Sequence, residues 1–141
     1  MASSLPTNLV DLCSKLETSF FNLQLKCIFC KFDLRFLDLA GFHEKRLCVI
    51  WRNGEPFGCC AKCLRLTAAF ERENYACCSV TGPGICTLLN KPLTEITIRC
   101  IHCFALLDLI EKCEHFYTAK QFFLVRGHWR GCCRNCQSYE G

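Results

Sequence analysis

No apolar run in this sequence reaches the roughly 18 to 20 residues that a membrane-spanning helix requires; even Ile101 to Ile110 is interrupted by His102 and Asp108. Over Met1 to Gln24 there is no basic start, no continuous apolar stretch and no small-residue cleavage site, so nothing there reads as a secretory signal. The expectation is a soluble cytosolic or nuclear protein without membrane contact. Length is also short: 141 residues suffice for one ordinary domain or two very small ones, which excludes a large enzyme on a barrel or doubly wound sheet. A strong excess of either charge is lacking as well, 17 basic against 13 acidic residues leaving a formal balance of +4. What is abundant is cysteine, 16 residues. Thiols stay reduced in a cytosolic setting, so that abundance points to metal binding before disulfides.

Eight of the cysteines form four Cys-X2-Cys pairs at Cys27/Cys30, Cys60/Cys63, Cys100/Cys103 and Cys133/Cys136, separated by 29, 36 and 29 residues. Shifting the chain by 73 residues lays Cys27 to Cys63 over Cys100 to Cys136, and Ile28, Leu34, Gly54, Gly58 and Cys59 over Ile101, Leu107, Gly127, Gly131 and Cys132. This is a tandem duplication of one small module. The fold expected is a small α+β, zinc-stabilised one: two four-cysteine modules joined by a linker helix, with residues 1–63, 64–90 and 91–141 as first module, connector and second module. Within a module a strand enters the first pair (Phe20 to Lys26; Glu95 to Arg99), then a helix (Leu34 to Lys45; Leu106 to His115), then a hairpin turning at Gly54 or Gly127. Leu9, Val10, Leu12 and Leu16 have helical spacing. The connector reads as a helix over Leu64 to Tyr75, with Leu66, Ala69 and Phe70 on one stripe, stopped by Thr81-Gly82-Pro83-Gly84 and followed by a turn of helix from Ile85 to Asn90. Gly58 and Gly131 are expected to let the backbone approach a metal.

A Cys-X2-Cys turn presents two thiolates to one zinc ion, so two pairs per module close a tetrahedral shell with no position left for substrate. Two structural zinc ions are expected. Cys59 and Cys132 compete with Cys60 and Cys133 as ligands, and the X2 spacing favours the latter. A redox reading of the pairs lacks its βαβ context. The remaining thiols, Cys13, Cys48, Cys77, Cys78, Cys86 and Cys113, read as buried small hydrophobes. Eight thiolates and two zinc ions bring the formal charge to 4 − 8 + 4 = 0, which weakens a broad electrostatic grip on nucleic acid.

The framework resembles the papillomavirus early protein six family, viral transforming proteins with two zinc modules. Supporting segments are Lys45-Arg46-Leu47-Cys48-Val49-Ile50-Trp51-Arg52-Asn53-Gly54, Asn90-Lys91-Pro92-Leu93, Ile98-Arg99-Cys100 and Val125-Arg126-Gly127-His128-Trp129-Arg130-Gly131. The resemblance implies a protein without enzymatic activity that acts in host nucleus and cytoplasm. It would capture acidic LxxLL helices of host proteins, a HECT-type ubiquitin ligase or Mastermind-like coactivators, between its modules and linker. Modulation of host transcription, differentiation, apoptosis and innate immunity would follow. Leu47 and Cys48, with Phe70 and Tyr75, would supply apolar contacts; Arg52, Arg99 and Arg126 would meet acidic flanks, and His128 stands where some relatives carry another arginine. The ending Gln137-Ser138-Tyr139-Glu140-Gly141 offers no apolar terminal residue to a PDZ domain. The competing function is a nucleic-acid-binding regulator using Lys45, Arg46, Arg52 and Trp51, or Arg126, Arg130, Arg134 and Trp129. His43, His102, His115 and His128 are scattered and suggest no catalytic site. Self-association stays open between a monomer and weak oligomers.

Overall fold

The computed structural model describes residues 5–139. The chain divides into two compact units, residues 1–64 and 65–141. The first contains helix α1 (Leu9–Lys15), a 3-10 turn (Phe20–Asn22), β1 (Lys26–Cys27), α2 (Phe36–Glu44) and the hairpin β2 (Ile50–Arg52) to β3 (Glu55–Gly58). Helix α3 (Ala61–Tyr75) runs across the division. The second unit continues with β4 (Ala76–Val80), α4 (Gly82–Leu89), a 3-10 turn (Leu93–Glu95), β5 (Arg99–Cys100), α5 (Leu109–Thr118) and the hairpin β6 (Phe122–Val125) to β7 (His128–Gly131).

The 73-residue repeat reaches further than the cysteines. Every non-helical backbone twist recurs: positive φ falls at Glu17 and Asn90, Lys31 and Phe104, Arg46 and Ala119, Asn53 and Arg126, Gly54 and Gly127. The last two pairs form the same two-residue hairpin turn, φ +52° then about +80°, a type I′ turn that suits the twist of antiparallel strands. Sheet order repeats too, β1-β3-β2 in the first unit and β5-β7-β6 in the second, with β4 added outside β6. Each first strand is parallel to the last, Lys26 opposite Phe57 and Arg99 opposite Arg130. The cores correspond: Leu12, Leu23, Leu25 and Leu34 are buried in one, Ile85, Ile96, Ile98 and Leu107 in the other.

Three expectations change. The strands entering the first pairs shrink to two residues each, because only those lie beside the partner strand. The Gly-Pro segment starts a helix instead of only stopping one: α3 ends at Tyr75, Ala76–Val80 pairs with β6, and Thr81 caps α4 by accepting the Gly84 N–H at 3.1 Å. Proline is tolerated in a first helical turn, where its missing N–H costs nothing, and Gly82 leaves room for the Phe116 ring, which would lie 2.5 Å from an added Cβ. Thr81 thus repeats the role of Asn8, which caps α1 through the Asp11 N–H at 2.8 Å. Third, Gly58 and Gly131 make room for side chains. A Cβ at Gly58 would lie 2.7 Å from Leu34, and one at Gly131 would be boxed by His115, Leu107 and Phe122 at 3.0 to 3.1 Å. Among the described residues no helix is long and apolar enough to cross a membrane.

Candidate metal centre and neighbouring cations

The zinc-ligand candidates meet in two sets of four, Cys27, Cys30, Cys60 and Cys63 in the first unit and Cys100, Cys103, Cys133 and Cys136 in the second, the sulfurs of each set lying within 4.8 Å of one another. Four sulfurs placed tetrahedrally at roughly 2.3 Å from a zinc ion are roughly 3.8 Å apart. The Cys30–Cys60 and Cys103–Cys133 sulfurs are separated by 3.9 and 3.8 Å. The donor set therefore fits zinc in both units. Cys59 and Cys132 are buried outside the sets, their thiols directed to the carbonyls of Cys60 and Cys133.

Local backbone prepares the sulfurs for negative charge. The Cys63 N–H points at Cys60 Sγ and the His102 N–H at Cys100 Sγ, each at 3.4 Å. Burial pushes the Cys27 thiol up, but backbone N–H groups of Cys30, Cys60 and Phe29 outweigh it and bring the pKa down to about 6. Cys63 is pushed up to about 12 by burial and by its sulfur neighbours. In the second set the Cys103 and Cys133 thiols hold Cys100 far below the usual range, while the hydrogen bond to Cys100 and burial drive Cys103 up to about 12. In each set one thiol is held low while shifted neighbours are raised, so gathering four thiolates calls for a cation, which is the property expected of a metal site. The second set is wholly buried; in the first only Cys27 is. Neither set leaves a sulfur-free position for substrate.

A carboxylate locks each site to its helix. Asp38 in α2 accepts the Ala61 N–H at 3.1 Å, and its counterpart Glu111 in α5 accepts the Arg134 N–H at 2.8 Å. Both acids also cap their own helices, through the Arg35 and Asp108 N–H groups. Sequence reading missed this clamp, although an acid at the third helical position in both repeats could have marked it. It also missed His115, buried beside the second site, whose Nδ1 lies 2.9 Å from the Glu111 carbonyl and whose Nε2 accepts the Cys132 N–H at 3.1 Å. That arrangement fixes the Nδ1–H tautomer.

The other thiols are not all buried: Cys48, Cys77 and Cys78 are exposed and Cys13, Cys86 and Cys113 are half-buried. The exposed trio lies in hairpin approaches and on the edge strand β4, where no core covers them.

The proposed peptide contacts distribute over both units. In the first, Leu47 is half-buried and Cys48 exposed; both line a cleft of about 370 Å³ with His43 and Arg46. Arg52 is exposed at the β2 end and donates to the Trp51 carbonyl. In the second, Leu66 and Phe70 stay exposed, so the expected α3 stripe is not a packing face; Ala68 is buried instead, as is Leu64 at the end of the first unit. Tyr75 packs edge-on to Phe70 at 5.9 Å between centroids and carries the Arg126 guanidinium 5.0 Å above its ring. Arg126 also stands 3.5 Å from the Glu71 carboxylate. Arg99 donates to the Phe104 carbonyl at 2.9 Å, and His128 is exposed at the start of β7. Phe70, Tyr75 and Arg126 thus form one cluster, and Arg99 and His128 belong to the adjoining sheet. Of the residues suited to stacking on nucleic acid, Trp51 donates its indole N–H to the Pro6 carbonyl and Trp129 packs against the core, while Arg134 is paired with Asp108 at 2.7 Å. The PDZ-related ending lies partly outside the described residues.

The model of the family described as Early Protein (E6) matches residues 27–136. Protein E6 of human papillomavirus type 48 is 51% identical over all 141 residues, covering 99% of that relative, and protein E6 of human papillomavirus 65 is 44% identical over 96% of this chain and 97% of its own length. A solved structure, the C-terminal zinc-binding domain of HPV51 oncoprotein E6, is similar over 45% of this chain and 84% of its own, with 31% identity and a TM-score of 0.41. With a family match across both four-cysteine sets and relatives alike from end to end, the chain belongs to the papillomavirus E6 family.

Proposed function

We propose that this E6 protein is a zinc-stabilised adaptor that captures short acidic LxxLL helices of host proteins, of the HECT-type ubiquitin ligase or Mastermind-like coactivator class, in host nucleus and cytoplasm. The observation that carries the reading is Arg126. Its guanidinium is exposed, braced over the Tyr75 ring and only loosely paired with Glu71, so it is oriented yet available to an incoming carboxylate. Beside it α3 presents Leu66 and Phe70, one turn apart and both more than half exposed, as apolar contacts for leucine anchors. Both metal sets are complete with four thiols, which supports a scaffold role for zinc rather than catalysis. The near-zero charge of the zinc-loaded chain favours a protein partner over a polyanion.

The test is a fluorescence-polarisation titration of zinc-loaded protein with an acidic LxxLL peptide and with the same peptide carrying alanine for each leucine. Binding to the first and loss of at least tenfold with the second is expected. No binding, equal binding of both peptides, or tighter and steeply salt-dependent binding of duplex DNA would overturn the reading.

A further inference from the structure

The second unit buries a charge that the fold does not require. Arg130 on β7 is only 9% exposed, and its Nε, shielded from solvent, has no hydrogen-bond partner. One Nη reaches the Trp129 carbonyl at a long 3.4 Å, and the guanidinium lies 5.2 Å from the centre of the Phe104 ring. Its strand register sets it opposite Arg99 on β5 and opposite Phe123 on β6. Burial disfavours its charge, the Glu71 carboxylate favours it, and the neighbouring Arg99 disfavours it again. A buried guanidinium with an unsatisfied Nε is costly, and apolar replacement of buried charge is often neutral or stabilising.

The first unit shows the same fold without that charge. The residue 73 positions earlier is Phe57, opposite Lys26 in the same register. The cation–ring contact survives there with its partners exchanged, Lys31 standing 5.1 Å from the Phe57 ring, and Lys31 is exposed. A phenyl ring therefore serves this strand position, and the arginine at 130 calls for another reason. Side-chain alternation along β7 puts His128 and Arg130 on one face, with Arg99, Ile101 and Phe123 beside them. Phe123 and Ile101 also line a small cleft of about 240 Å³ with Arg72, Ala76 and His102. Arg126 stands 3.5 Å from the Glu71 carboxylate, that carboxylate also favours the Arg130 charge, and Arg99 lies opposite Arg130 in the strand register.

We propose that Arg130 is a specificity residue for the acidic flank of the captured helix, forming with Arg99 a two-guanidinium receptor for a ligand carboxylate. The inference rests on the peptide-capturing reading. A carboxylate arriving on this face takes the Nε edge of the guanidinium side-on, after a rotation that breaks the long bond to Trp129 and slides the group across the Phe104 ring. Glu71, the resident acid, competes for the same cations.

The experiment uses the full zinc-loaded chain and two LxxLL peptides, one with acidic flanks and one with those acids changed to their amides. Wild type should prefer the acidic peptide by tenfold or more. Arg130→Met should bind both as wild type binds the neutral one, with a melting temperature at or above wild type. Arg130→Lys, which keeps the charge but not the planar fork, should fold and lose most of the preference, and Glu71→Gln should strengthen acidic-peptide binding severalfold. A full acidic preference in Arg130→Met, or a lowered melting temperature there, overturns the inference and leaves the peptide reading standing. Equal binding of both peptides by wild type does the same. Failure of wild type to bind either peptide overturns both.

Discussion

Replacing Glu111 by alanine should loosen the second zinc site more than any comparable change loosens the first. The Glu111 carboxylate accepts the Asp108 N–H at 2.9 Å and the Arg134 N–H at 2.8 Å, and it is 7% exposed. A hydrogen bond to a charged acceptor is worth about 1.5 to 3 kcal/mol. Both bonds are only partly buried and both Asp108 and Arg134 are exposed residues, so water can substitute in part and each bond belongs at the low end. About 3 kcal/mol is expected for Glu111→Ala, roughly a hundredfold in the folding equilibrium. Asp38→Ala removes the equivalent bonds, but both are 3.1 Å long and exposed, so about 1 kcal/mol or less is expected there. Glu111→Gln should fall between, since the amide retains an oxygen for one N–H and turns a donor toward the other. The assay is urea unfolding of zinc-loaded protein followed by Trp129 fluorescence in a Trp51→Phe background, which isolates the second unit. Equal costs at Glu111 and Asp38, or a cost below about 0.5 kcal/mol at Glu111, would refute the clamp.

Gly131→Ala should destabilise by about 1 to 3 kcal/mol through overpacking against His115, Leu107 and Phe122, and thermal denaturation of the zinc-loaded protein checks it. His115→Phe restores the ring found at Phe42 but strands the Cys132 N–H; a loss of about 1 to 3 kcal/mol is expected, and hydrogen exchange at Cys132 should rise. Asp108→Ala should cost about 1 kcal/mol at neutral pH as a lost helix cap. The Glu111 N–H holds the Asp108 carboxyl below its ordinary range, with burial opposing and Arg134 assisting. A depressed carboxylate contributes above its unfolded pKa and loses that contribution as pH falls through the folded one. The gap between Asp108→Ala and wild type should therefore stay constant in urea unfolding from pH 8 down to about pH 5, above the unfolded carboxyl's pKa of about 3.9.

Cysteine spacing made both metal sets readable from sequence, because ligand geometry tolerates only certain separations and the duplication stated each twice. The hairpins were readable for a similar reason: Asn53-Gly54 is a turn pair with its own chemistry, and the shift carried it onto Arg126-Gly127. Helix α5 shows where the pattern misleads. Leu109 and Ile110 are exposed at 47% and 70%, whereas Glu111, Lys112 and His115 are buried. Each buried polar group meets backbone that zinc loops and 3-10 turns leave unpaired. Glu111 takes the Arg134 N–H, Lys112 donates to the Ile96 carbonyl at 2.6 Å, and His115 takes the Cys132 N–H. Hydrophobic periodicity cannot anticipate such exchanges, since the partners lie 16 to 23 positions away in sequence. Strand β4 was hidden for a different reason, its pairing being created by the open edge of β6 and not by Ala76-Cys77-Cys78-Ser79-Val80 alone.

Everything said about function presupposes two closed thiolate sites, one in each unit, that keep each unit folded. Zinc-finger peptides gain roughly 10 to 16 kcal/mol from one structural ion, more than a small domain's usual stability. Native mass spectrometry during stepwise titration with a strong chelator, with circular dichroism recorded in parallel, tests that claim directly. Two zinc ions per chain are expected in wild type and in Cys77→Ser and Cys78→Ser, with folded structure lost as the ions leave; a single ion, or a chain that stays folded after both are removed, would contradict it.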